Sequence, residues 1–461
     1  MAQHKTLKIS ALLMASAFSS LSYGAGFAVA EQSVTGLGRA FAGQAAVAED
    51  ASTIFFNPAG LTYLTHSQIA QGLNFILPQS DFNNDGSSIA PAFGGAPLTG
   101  REGDAGNLAV VPNLYFAHRV NDDVVLGIGV NAPFGLVTEY SDNWTGRYHA
   151  IKSDLMTINI NPSIGFKATE RLSLGVGVNL QYINLKLSQA VDFGGVCGQT
   201  AAALPGGHPL LAVAASCAQP QQHDGKARLN ADDWSWGFNL GLMFDVTDDT
   251  RLALAYRSKI SHHLTGEGKF RLPNNTAVQT VVGAIGGFGK AAISGDVDLP
   301  ESLSFAIHHQ INNQWAVMAD ASWTRWERFQ ELAISSPDPS SNLNSVKEEN
   351  WDNSMRYGIG LTYAHNDKWT FRGGIAYDES PISDEFRTPR IPGEDRKWVA
   401  LGASYKYSDH IVIDAGYTHI FVSDPSINDG TNSDPARSYT LSGDYDASVD
   451  ILGIQMRWLF L

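Results

Sequence analysis

The sequence is poor in charge and in cysteine, and it has no long apolar run. Only 17% of its 461 residues are Asp, Glu, Lys or Arg, against about 25% in an ordinary soluble domain. Cations are the scarcer sign, 31 against 46 acids, which excludes nucleic acid as a partner because phosphate backbones need clustered Lys and Arg. Two cysteines, Cys197 and Cys217, are too few for a disulfide scaffold. They fit one loop disulfide in an oxidising compartment, and they fit two free thiols equally. Past the first residues no stretch reaches the roughly 18 to 20 consecutive apolar residues of a membrane helix.

Motifs of hydrolysis are also missing, since neither GxSxG nor HExxH occurs. His262-His263 and His308-His309 resemble ligand pairs, but neighbouring strand residues point to opposite faces, so neither pair can grip one ion. No metal, no cofactor and no enzymatic activity are expected; a barrel lipid hydrolase is the alternative.

At the start of the chain, Lys5 and Lys8 precede an apolar run from Ile9 to Leu21, followed by the small residues Ser22 and Gly24. That order is expected of a secretory signal peptide spanning 1–24, cleaved before Ala25. Residues 25–66 are rich in Gly and Ala, carry Phe27, Phe41, Phe55 and Phe56, and have little regular alternation. A disordered leader would carry more charge and fewer aromatics.

Alternation then takes over. In LSLGVGVNLQY (172–182) every even residue is apolar or aromatic and every odd one is Ser, Gly, Asn or Gln, the period of a strand with one apolar face. The same period recurs in 236–246, 303–311, 411–417 and 452–460. Strands are expected near 68–77, 108–120, 123–131, 154–167, 171–187, 227–246, 249–271, 291–311, 314–334, 350–364, 368–378, 396–407, 410–421 and 448–460. Their links alternate between short polar turns and long loops, a segregation that an outer-membrane barrel requires and a soluble sandwich does not. The fold expected is all-β: a transmembrane, 14-stranded antiparallel barrel over 67–461, plugged by an N-terminal hatch over 25–66. Without a plug a barrel this wide is an open pore. Pro300, inside an otherwise good strand, requires a bulge or kink there.

The segments GLGRAFAG (36–43), AEDAST (48–53) and NPAGL (57–61) resemble the FadL/TodX (OMPP1) family of outer-membrane transporters for hydrophobic compounds. VPNLYF (111–116), PFGL (133–136), WTGRY (144–148), INPS (160–163), DLPE (298–301) and DKWTFRGGIAYD (367–378) extend the resemblance along the chain in order. It implies the same fourteen-stranded, hatch-plugged barrel in the outer membrane. It further implies passive uptake of long-chain fatty acids, with aromatic or alkane hydrocarbons as the alternative cargo. The ligand would leave sideways through a kink in the third strand. Membrane lipid and lipopolysaccharide are the expected surroundings, and a monomer the expected state.

Gating is expected at Gly36, Gly38, Asn57, Pro58 and Ala59, and the lateral opening at Gly127 and Gly129. The same glycine spacing at Gly175 and Gly177 leaves close backbone approach as the plainer reading. Phe27, Lys186 and Arg356 are the expected substrate contacts, Lys186 through a change of parity at Tyr182 and Ile183. Parity also turns Arg251, Arg257, Arg372 and Lys406 inward, where pairing with acids such as Asp320 and Asp414 competes with a ligand role.

Overall fold

The structure, a computed structural model, describes residues 26–90, 94–430 and 439–460; the segment 1–24, expected to be a signal peptide, lies outside them. The wall has fourteen antiparallel strands. They are β1 (Ser67–Asn84), β2 (Ala109–Arg119), β3 (Val124–Asn131, then Gly135–Glu139), β4 (Lys152–Lys167), β5 (Leu172–Asp192), β6 (Asp224–Asp245) and β7 (Thr250–Arg257, then Ile260–Arg271). The circuit continues with β8 (Ala291–Leu299, then Ser302–Gln310), β9 (Trp315–Thr324), β10 (Ser354–Ala364), β11 (Trp369–Asp378), β12 (Arg396–Lys406), β13 (Ile411–Val422) and β14 (Tyr439–Phe460). Each pairs with its neighbour, and β14 returns to β1 from Ser67 opposite Phe460 to Asn84 opposite Gly443. Closure of the first strand on the last is the condition for strands to span lipid.

The alternating pattern sorts as expected for a membrane barrel. Leu452, Ile454, Met456 and Trp458 are exposed on the outer face of β14 while Gln455 and Arg457 are buried inside. Turns at one end are short, and the connections at the other carry helices and hairpins. Cys197 and Cys217 are joined by a disulfide between the loop helices Phe193–Ala203 and Leu211–Cys217. Strand nine is shorter than the alternation suggests. It stops at Thr324, and the chain turns through Trp326–Arg328 into a separate hairpin, Glu331–Ile334 with Ser345–Glu348. Trp326 is fully buried among aromatic rings instead of continuing the wall.

Residues 26–66 lie within the ring. They form α1 (Val34–Leu37), α2 (Gln44–Val47), α3 (Thr53–Phe56) and a 3₁₀ turn, Pro58–Tyr63. Ser33 caps α1 by accepting from the Gly36 N–H at 3.1 Å. Such short helices have no stability of their own, and the barrel supplies it. Gly38 sits against the backbone of Gly402 on β12, where an added Cβ would stand 2.7 Å from the Gly402 Cα. Glu49 makes ion pairs with Arg39 (2.8 Å), with Arg372 on β11, and with Arg457 on β14 at 3.8 Å.

Candidate functional site

Between this inner segment and the wall lies a cavity of about 200 Å³. One side is apolar and comes from the inner segment: Val29, Phe41, Phe55, Phe56 and Pro58. The other is wall, with Pro133 and Phe134 from β3, Tyr256 and Arg257 from β7, and Pro300 from β8. Its charged lining is three guanidiniums, Arg257, Arg356 and Arg396, against two carboxylates, Asp320 and Asp378. Arg356 faces Asp320 at 3.5 Å and donates to the Ala40 carbonyl, while Arg396 pairs with Asp378.

Arg257 differs from the other inward cations. Arg251 has Asp245 at 3.0 Å, Arg372 has Glu49, and Lys406 has Asp409 at 2.8 Å. Among the described residues no carboxylate pairs with Arg257. It donates instead to Asn179 Oδ1 (2.6 Å) and to the Phe55 carbonyl (2.8 Å), and lies 4.2 Å from the Phe55 ring centroid. A cation held in an apolar recess by neutral partners is poorly compensated, so an anion brought there is favoured.

The wall beside the cavity is interrupted at β3. Asn131 faces Asn159 and Gly135 faces Met156, so β3 spends three residues, 132–134, where β4 spends two. This bulge turns β3 inward. The Val29 N–H donates to the Pro133 carbonyl and the Gly135 N–H to the Phe27 carbonyl, both at 2.9 Å. Gln32 bonds both polar groups of the Ala132 backbone, donating to its carbonyl at 2.8 Å and accepting from its N–H at 3.3 Å. The β2–β3 ladder ends at Leu114 opposite Val130, and above it, among the described residues, the only wall strand that β3 pairs with is β4, while Ala28 of the inner segment bridges Phe134. A seam is thus left open between Ala109–Asn113 of β2 and the upper part of β3.

The residues singled out in the sequence distribute as follows. Phe27 is buried above the cavity, with the rings of Phe134, Trp326, Phe329 and Trp351 centred 4.8 to 6.1 Å away. Arg356 lines the cavity. Lys186 does not, and its expected inward turn is corrected. The ladders of β5 with β4 and β6 run through Tyr182 and Ile183 without slip, so Lys186 keeps the outward parity of Leu180 and Tyr182. Gly127 and Gly129 stand in the fully paired part of β3, packed against Ile54 and Tyr115; the seam begins above them. Gly36 lies under the Phe41 ring.

Asn57, Pro58 and Ala59 are bound at the base. Asn57 Nδ2 donates to the carbonyls of Ala45 (2.9 Å) and Leu242 (3.2 Å), and its Oδ1 accepts from the Ala59 N–H at 3.1 Å. Gly175 on β5 and Gly241 on β6 have no room for a Cβ beside this turn. Sequence reasoning passed over Pro133, Phe134 and Arg396; a proline two residues past a strand of clean alternation was the available signal for the first two.

A closed barrel that is apolar outside, with a cavity between an inner segment and a broken seam, defines an outer-membrane channel for small molecules. The sequence profile of the outer membrane protein transport protein family (OMPP1/FadL/TodX) matches residues 15–460, and the chain belongs to that family. The long-chain fatty acid transport protein of Salmonella typhi is 32% identical over 445 residues, covering 93% of this chain and 95% of the relative. Outer membrane protein P1 of Haemophilus influenzae is 32% identical, covering 86% of each. Among solved structures, a Pseudomonas aeruginosa FadL homologue superposes with a TM-score of 0.83 at 26% identity, covering 95% of this chain and 100% of that one. The Pseudomonas putida toluene transporter TodX shares the fold, with a TM-score of 0.63 at 18% identity over 96% of this chain and 99% of its own. The chain is an outer-membrane, multi-pass barrel and an uptake channel for hydrophobic compounds.

Proposed function

We propose that this channel takes up long-chain fatty acids. The observation that carries this reading is Arg257, a cation without a carboxylate partner among the described residues, set beside the apolar faces of Phe55 and Phe56. A fatty acid offers a carboxylate for the guanidinium and an alkyl chain for the phenylalanines; a hydrocarbon offers only the second. The curated relatives named as fatty acid transporters support the same cargo. Residues 26–66 act as the hatch, and the barrel, closed within one chain, works as a monomer.

In this reading the ligand, bound between hatch and wall, leaves through the β2–β3 seam into the bilayer. Shifting residues 27–32 breaks the few hydrogen bonds they make to 132–135 and those they accept from Asn74 and Tyr115, whereas crossing a water-filled lumen would strip the chain of its apolar contacts. Phe27, Gly36, Gly38 and the Asn57-Pro58-Ala59 turn serve the gate, and Arg356 supports the site from across the cavity. Uptake of labelled oleate and of toluene in a host lacking its own transporter tests the cargo. Oleate uptake that depends on the protein, with toluene at background, is expected. Toluene uptake alone would transfer the reading to hydrocarbons.

A further inference from the structure

Above the lipid-facing zone, the outer surface of β4 to β7 carries an arrangement that the transport route does not use. Along β6 the outward residues include Trp236 and Trp234, exposed at 67% and 59%, followed toward the long-loop end by Asp232, Asn230, Arg228 and Lys226. Across the ladder from β6, Lys269 stands opposite Arg228 and Arg271 opposite Lys226. Two rungs on this outer face therefore set cation against cation, an arrangement that destabilises an antiparallel pair unless something neutralises it. Lys186 is one rung below on β5, opposite Asn230. A groove runs between Lys186, Arg228 and Lys269.

Neutralisation from within the protein is partial. Lys226 reaches Asp142 at 2.7 Å, and Lys186 stands 4.0 Å from Asp154, which Lys152 also approaches at 3.7 Å. Two carboxylates also line the groove: Glu139 is held by Lys152 at 2.8 Å, and Glu267 is paired with Lys290 while lying near enough to Lys269 to feel its charge. Among the described residues no ion pair involves Arg228, Lys269 or Arg271. In a chain with a formal charge of −15, cations gathered on one outward face, three of them outside any ion pair among the described residues, call for an anion from outside.

Height selects the anion. Arg228 is six residues beyond Trp234, roughly 20 Å along the strand at about 3.3 Å per residue, and less in height because barrel strands tilt by about 40°. Exposed tryptophans mark the membrane interface, so the cations stand in the headgroup and saccharide layer of the outer leaflet. We propose that this face binds the phosphorylated saccharide of lipopolysaccharide, with Arg228 and Lys269 bridged by one phosphate and Lys186 flanking it. Guanidinium favours such contacts through paired N–H donors. The inference is independent of which cargo the channel carries.

The test uses the full-length barrel in detergent, with native mass spectrometry and titration of three probes: lipopolysaccharide with a phosphorylated core, the same material dephosphorylated, and inorganic phosphate. The phosphorylated form should bind about tenfold more tightly than the dephosphorylated one, and the double variant Arg228→Gln/Lys269→Gln should lose that difference. Inorganic phosphate at equal concentration should not compete. Equal binding of both lipopolysaccharide forms, or full competition by inorganic phosphate, overturns the proposal. The comparison of probes on the unaltered protein decides even if the variant does not fold. Arg271→Glu, facing Lys226, should raise the unfolding midpoint in lipid-free detergent; a fall would remove the like-charge argument.

Discussion

Strands β3 and β7 carry the same irregularity and resolve it differently. Each spends one residue more than its neighbour: β3 has 132–134 against two residues of β4, and β7 has 258–264 against six residues of β6, between Asn239 and Asp232. At β7 the wall repairs itself. The Ser258 N–H donates to the Phe238 carbonyl and Ser258 Oγ accepts from the Phe238 N–H, both at 2.9 Å. Ser235 donates to the Ser261 carbonyl at 2.7 Å, and Asp233 accepts from the His263 N–H at 3.2 Å. β8 bends in step at Pro300, so its register with β7 holds on both sides of the kink. At β3 the wall repairs only Phe134, whose N–H and carbonyl both bond Thr157 Oγ1 of β4; the groups of Ala132, the Pro133 carbonyl and the Gly135 N–H bond the inner segment, and among the described residues no wall strand pairs with that side of β3. On the proposed route the bulge at β3 serves as a gate because its partners belong to the inner segment, and the one at β7 does not because its partners are wall.

Fastening the gate should have the largest effect. Val29 and Pro133 are hydrogen-bonded neighbours, close enough for a disulfide. The Val29→Cys/Pro133→Cys variant is expected to lose oleate uptake almost completely when oxidised and to recover it on reduction. Next is Arg257→Gln, which should lower oleate affinity by roughly tenfold, the scale of one charge-assisted hydrogen bond, and leave the fold intact on a heat-modifiability gel. Asn57→Ala removes the bonds to Ala45, Leu242 and Ala59 from the base of the inner segment. Uptake should fall severalfold while the barrel stays folded, and loss of the folded gel band would instead make the turn purely structural.

The β7 side of the comparison predicts the reverse pattern. Ser235→Ala should cost about 1 kcal/mol of stability, measured as a lower unfolding midpoint, and leave oleate uptake unchanged. The smallest effect concerns the roof over Phe27. Glu349, in the loop that carries Trp326 and Trp351, is buried, and its carboxyl is pushed up from the usual 4.5 to about 8. An acid raised on folding stabilises the closed loop below about pH 4.5, and that stability is lost as pH rises through about 8. Amide exchange in 326–351, corrected for intrinsic rate, should quicken between pH 6 and pH 9, and Glu349→Gln should flatten the change.

How far the sequence disclosed this comparison follows from the range of each signal. Period-two alternation is local, so the wall and its outward faces were legible, and Pro300 located the β8 bend because a missing N–H has one meaning in a closed sheet. The β3 bulge was read as the start of a loop, since Ala132-Pro133-Phe134 ends the alternation and the strand resumes only as Gly135–Glu139. The turn at Asn57-Pro58-Ala59 was legible, but not its seat on Gly175 and Gly241, residues more than a hundred positions away. Lys186 was turned inward by two adjacent apolar residues, Tyr182 and Ile183; the unbroken ladders on both sides correct it. Arg257 was legible as an inward cation. That it has no carboxylate partner is a fact of distances, which no single strand encodes.

The route itself can be measured with a fatty acid bearing a photoreactive group at its methyl end, supplied from outside and activated during uptake. The account predicts adducts on Pro133, Phe134 and the unpaired flank of β2, Ala109 to Asn113. Adducts confined to the β6–β7 seam at Ser235 and Ser261, or to the short-turn end of the barrel, would contradict it.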